Sequence, residues 1–227
     1  LADSLTPAVL PADGDHHASV SVDAFGRYAI VAESTEGVAI QLIDRMAGPM
    51  TRSGLAGARD GRLDTFLSRG DYRVATTGAP GATGEVHLAL RRFEELNAEP
   101  LHLTDARTVS STLGDFQQRS YWMRLTERER VDLEAAGRYL ADFRLWREGV
   151  WLVDAAPRCA TVTPSVGQPL TDCTLSITLE PGLYRVTAYG GEGLAWMRDD
   201  GTDPLIVRRG IPCLLYTSPS PRDRIAS

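Results

Sequence analysis

Leu175, Ile177 and Leu179 alternate with Ser176 and Thr178. After a four-residue break, Tyr184, Val186 and Ala188 alternate with Arg185, Thr187 and Tyr189. A period of two puts the apolar side chains on one face of a sheet. The break reads Glu180-Pro181-Gly182-Leu183. Proline suits the first central position of a type II turn and glycine the second, so the stretch predicts a hairpin. The pattern occurs twice. Leu67, Gly70, Tyr72, Arg73, Val74 and Gly78 recur as Leu179, Gly182, Tyr184, Arg185, Val186 and Gly190, each pair 112 positions apart. In the first copy Leu63, Thr65 and Leu67 precede the break, and Tyr72, Val74 and Thr76 follow it.

Further alternating runs surround both copies. "ASVSV", "RYAIVAES", "GVAIQLID" and "EVHLALRRF" complete a first set of short strands. "RSYWMRL", "RVDLEAAG", "YLADFRLW" and "VWLVDA" open a second. Short strands separated by Gly/Pro/Asp turns indicate a sandwich or barrel. One stretch is ambiguous. "TERERVDLEAAGRYLADF" is rich in charge, lacks proline and places Leu133, Ala136, Leu140 and Phe143 at helical spacing. Propensity favours a helix there. The repeat favours strands, because "YAIVAESTEGVAIQLID" holds the equivalent place, and strands are the reading adopted.

The expected fold is therefore all-β, with two tandem β-sandwich, jelly-roll-like domains. Residues 1–16 are read as a linker or truncated first strand, 17–95 as the first sandwich, 96–116 as a linker and opening strand, and 117–212 as the second sandwich. The repeat also disposes of Arg69-Gly70-Asp71 as an adhesion tripeptide, since the other copy fills that turn with Pro181-Gly182-Leu183.

Composition narrows the function. The chain has 227 residues, a formal charge of −6 and 24 basic residues, all of them arginine. Without lysine, Schiff-base and phosphate-loop lysine chemistry is excluded in this chain. Net acidity without a basic run argues against nucleic acid as a partner. No apolar run approaches the ~20 residues that span a bilayer. The first residue is Leu1, which leads us to expect a processed protein or a truncated reading frame.

Residues 213–227 open with "CLLYTSPSPRD". The segment resembles a translated sequencing adapter of the transposon-insertion type. The resemblance implies a non-native tail without packed structure and a fragment of metagenomic or draft-assembly origin.

The two sets of strands resemble the bacterial pre-peptidase C-terminal (PPC) domain family. The residues that carry the resemblance are the opening "NAEPLHLTDARTVSSTLGD", the strand "SYWMRL" and "LEPGLYRV", with "ASVSV" and "LSRGDYRV" in the first copy. The family implies secreted β-sandwiches appended to enzymes and surface proteins, usually noncatalytic, so a secreted, periplasmic or cell-surface location is expected. The family often carries paired aspartates before the tyrosine strand. This chain has "FQQRSYW" there, which puts any calcium role of that pair in doubt.

Candidate chemistry is sparse. There is no G-x-S-x-G, H-E-x-x-H or C-x-x-C motif, and no cofactor is expected. His16-His17 are adjacent and cannot share one metal from a regular strand; a solvated linker is the expectation. Asp199, Asp200 and Asp203 have carboxylates suited to calcium without EF-hand spacing, and a polar turn is the alternative. Cys159 and Cys173 have thirteen residues between them, a spacing that suits a disulfide in an exported protein; two free buried thiols are the alternative. In "FRLWREGVWL" a two-residue turn at Glu148-Gly149 would pair Trp146 with Trp151, and Leu145 with Leu152 on the opposite face. With the leucines inside, the tryptophans would form an exposed platform that stacks on sugar rings; core packing is the alternative. The expected function is a noncatalytic binding or spacer module of an exported bacterial protein, with an extracellular glycan or peptide polymer as partner. The alternative is an accessory region of a larger secreted hydrolase or surface protein.

Overall fold

The computed structural model describes residues 8–44, 48–97, 101–104, 108–164, 168–192 and 203–210. Every regular element among them is a strand, and they divide into two compact units at the Phe93–Glu94 junction. The first unit contains β1 (Ala8–Pro11), β2 (Asp15–Val22), β3 (Gly26–Glu33), β4 (Ala39–Asp44), β5 (Gly48–Ser53), β6 (Gly61–Leu67), β7 (Gly70–Thr77) and β8 (Glu85–Arg92). They form two antiparallel sheets, ordered β1-β8-β3-β6 and β2-β7-β4-β5. His16 and His17 therefore lie in a paired strand rather than a linker.

The second unit contains β9 (Glu94–Glu95), β10 (Leu101–His102), β11 (Thr108–Leu113), β12 (Gln117–Leu125), β13 (Glu129–Gly137), β14 (Leu140–Arg147), β15 (Val150–Trp151), β16 (Arg158–Val162), β17 (Leu170–Leu179), β18 (Gly182–Gly190) and β19 (Asp203–Arg209). One sheet runs β10-β12-β18-β14-β15, with β9 also beside β12; the other runs β11-β19-β13-β17-β16.

The same strand order thus occurs twice, and the registers agree. Ile30 faces Leu63 in the first unit, and Leu133 faces Leu175 in the second. Val20 faces Tyr72, and Met123 faces Tyr184. The early strands correspond at an offset of 103 positions and the later ones at 112. The difference falls between β14 and β17, where β16 has no counterpart in the first unit.

Each unit has one core, filled from both of its sheets. In the second, Val131, Leu133 and Ala135 of β13 meet Phe143 and Leu145 of β14 and Tyr184, Val186 and Ala188 of β18. In the first, Ile30, Ile40, Leu42, Val74 and Leu88 do the same. Burial of such side chains stabilises by about 1.5–3 kcal/mol each. The ambiguous 126–143 stretch forms β13 and β14. Its alanines favour a helix locally, but β13 is paired on one side by β17 and on the other by β19, and that pairing outweighs propensity.

The expected hairpin is not one. β17 pairs with β13 and β16, while β18 pairs with β12 and β14, so the chain crosses from one sheet to the other between Leu179 and Gly182. β6 and β7 are likewise in different sheets. Gly70 and Gly182 have φ values of 157° and 159°, far from the value near +80° that a type II turn needs. What recurs at this corner is a tyrosine tie. The Tyr184 hydroxyl donates to the Glu180 carbonyl at 2.7 Å, and the Tyr72 hydroxyl donates to the Ser68 carbonyl at 3.0 Å. Each tyrosine reaches back four residues and fixes the corner. In the first copy Asp71 is also held, by a 2.7 Å hydrogen bond from the Ser21 hydroxyl.

Candidate functional site

The turn at Glu148-Gly149 has φ of 51° and 79°, the two positive values of a type I′ hairpin. It sets Trp146 opposite Trp151. Leu145 lies in the core and Leu152 packs against it, so the tryptophans point the other way. They do not form an open platform. Trp146 is only 3% exposed, with the Arg185 guanidinium 5.4 Å from its ring centre. The Arg144 guanidinium sits 3.7 Å above the Trp151 ring and is itself paired with Asp142 at 2.7 Å. The surface that a sugar would use is taken by arginine. The spacing rule identified the partners correctly but says nothing of what lies over them.

Gln117 and Gln118 have structural work. Gln117 Oε1 accepts from the Gly114 N–H at 2.8 Å, and Gln118 donates to Glu95 at 3.3 Å. Glu95 also accepts from the backbone N–H and the hydroxyl of Ser120, at 3.0 and 2.6 Å. These bonds hold β9 against β12. No periodic signal marks a two-residue strand, so the sequence could not show it.

Asp199 and Asp200 lie outside the described residues, as do residues 211–227. Asp203 is within reach of Arg138 at 3.0 Å. Among the described residues no group of three His, Cys, Asp or Glu side chains is placed to hold a metal. In the first unit Glu33, Ser34, Asp60, Glu85 and His87 line an open groove of about 670 Å³. Asp60 accepts the Ser34 N–H at 3.0 Å, and His87 lies 4.0 Å from Glu85. No helix of the described residues is long and apolar enough to cross a membrane.

Cys159 and Cys173 face each other across β16 and β17 and are joined by a disulfide, with Cα atoms 4.0 Å apart. That short separation belongs to a directly opposed cross-strand pair. Cys173 is fully buried, whereas Cys159 lies on an exposed edge strand.

Next to this bond is a feature that spacing did not reveal. Asp172 and Glu134 project from the same outer face of the β13–β17 pair. Burial pushes the Glu134 carboxyl above its ordinary pKa, the Asp172 charge pushes the same way, and Arg208, 3.1 Å away, pulls it back. Burial also raises Asp172, whose inner carboxylate oxygen Oδ1 has no hydrogen-bond partner among the described residues. The folded chain therefore holds protons that the unfolded chain has already released. The stability these groups contribute is full at low pH and falls as pH rises from about 4 through the raised folded values. Asp172→Asn should flatten that fall and raise stability at pH 7, with little change at pH 3. Urea midpoints across this pH range are the check; an unchanged slope would show that the pair carries no such coupling.

Compared with known families and curated proteins, the chain matches no family model and no curated sequence.

Proposed function

We propose that this chain is a tandem β-sandwich, jelly-roll-like module of an exported bacterial protein, noncatalytic, acting as a binding or spacer region. The observation that carries the reading is what the two units have in common. They share a strand order, the tyrosine tie and the glycine at the end of β7 and β18, all of which build the fold. A duplicated scaffold whose recurrent residues are structural suits a module that displays or separates other parts. A disulfide clasping an edge strand suits an oxidising compartment. The PPC resemblance points the same way and supports attachment to a larger secreted hydrolase or surface protein.

The test uses the purified chain, secreted to the periplasm of a host. Peptide, ester and glycoside substrates should show no turnover, and thiol labelling of the unfolded protein should leave Cys159 and Cys173 unmodified. Turnover lost on changing a single polar residue would overturn the noncatalytic reading; free thiols in the exported protein would remove the support for compartment.

A further inference from the structure

The outward face of the β10-β12-β18-β14-β15 sheet carries one row of side chains in register: His102, Trp122, Arg185, Trp146 and Trp151. Directly opposed residues on neighbouring strands hold their Cβ atoms about 5 Å apart, so these groups form a continuous strip. Its two ends differ. At the β14–β15 end Trp146 is buried and Arg144 covers Trp151. At the β10–β12–β18 end the strip is open. His102 is exposed, and Trp122 and Arg185 are half-buried. Two residues further along, exposed Arg124 stands opposite Leu183, which is 40% exposed.

The charges at the open end are uncompensated. Elsewhere Arg62, Arg128, Arg144 and Arg208 each have a carboxylate within 3.1 Å. Among the described residues neither Arg124 nor Arg185 has an ion pair or a hydrogen bond; the one contact of the Arg185 guanidinium is the Trp146 ring. That ring steadies the planar cation by a cation–π contact while its N–H donors stay available to a planar anion. In a chain of net charge −6, two such cations beside an accessible indole form a local site that the overall charge would not supply.

We propose that this open end binds carboxylate-bearing sugars of an acidic polysaccharide. The indole of Trp122 takes the apolar face of a ring, and Arg185 and Arg124 take its carboxylate. The proposal rests on the binding form of the function above and gives that form a ligand class. The contacts come from the side chains of Trp122, Arg124 and Arg185 on the sheet face and not from the backbone edge of β10, so they give an extended peptide no strand-like hydrogen bonds. It offers stacking and ion pairing, and a uronate ring presents both partners at once.

The experiment measures binding of the whole chain to polygalacturonate at physiological salt, beside neutral dextran and poly-glutamate. Saturable binding to polygalacturonate is expected, with no retention on dextran. Arg185→Gln, Arg124→Gln and Trp122→Ala should each weaken it by about tenfold, the loss of one charge-assisted or stacking contact. Arg124 is exposed, so its variant should melt as the parent does and keeps the test valid if Trp122→Ala misfolds. Absence of binding, equal retention on dextran, equal or tighter binding to poly-glutamate, or indifference to the arginine substitutions would each overturn the proposal. A folded chain that binds none of the three polymers and turns over nothing would leave the spacer form of the function standing; turnover would sink that function itself.

Discussion

Replacing Gly190 with alanine is expected to destabilise the second unit by about 3–5 kcal/mol, among the largest effects of any single substitution in this chain. A Cβ built at Gly190 would lie 1.8 Å from the Gly114 carbonyl oxygen, and one at Gly78 would lie 1.6 Å from that of Ala12. The reason is topological. Between β1 and β2, and again between β11 and β12, the chain passes from one sheet to the other across the end of β7 or β18. The crossing backbone rests where a side chain would begin. Because the obstacle is a main-chain carbonyl, no rotamer change can relieve it, and the crossing itself must shift. Gly78→Ala should have the same effect on the first unit. Gly14→Ala is the comparison. Gly14 has φ of 67° and open space around its missing Cβ, so its substitution should cost only the ~1–2 kcal/mol of left-handed backbone. Urea denaturation of the three variants measures this; Gly190→Ala and Gly78→Ala no worse than Gly14→Ala would refute the crossing argument.

Breaking the Cys159–Cys173 bond, by reduction or by the double substitution to serine, should lower stability by about 3 kcal/mol, the loop-closure value for a ring of ~15 residues. For a unit of this size that corresponds to a melting-temperature drop of about 10 °C. The effect should be local in origin. β16 is exposed along nearly its whole length, so little burial holds it against β17. Without the bond, amide exchange at residues 158–162 should speed up before the rest of the sheet responds, and the edge of β17 should open. A global loss of protection at the same rate everywhere would mean that the bond supports the core instead. An unchanged melting temperature would mean that pairing alone holds the strand.

The positions of the core strands were legible because one face of each is buried, and burial writes a period of two into the chain; β5, β9, β10 and β16 are mostly exposed and carry no such mark. This held even at 126–143, where composition pointed to a helix, because the first copy supplied a second view of the same place. The Trp146–Trp151 pairing was legible because a two-residue turn leaves one register. The recurrent tyrosine and glycine were visible as signals, but not their reasons. The tyrosine ties a corner four residues back, where the chain changes sheet, and the glycine lies under a chain crossing from another part of the fold. Alternation reports that a strand has a buried face, not whether the next strand lies beside it or across the core, so the corner between β17 and β18 reads like a hairpin. Nor does it report what covers the other face. The depth of Trp146 beside Arg185 and the Glu134–Asp172–Arg208 group come from strands far apart in sequence meeting in one sheet, while Arg144 lies over Trp151 across the local β14–β15 turn. The alternating pattern determined where the core strands run and that they come in two sets. Only the tertiary structure decided which strands are neighbours, because partner choice is fixed by packing and backbone crossings between distant segments, and local pattern carries no record of them.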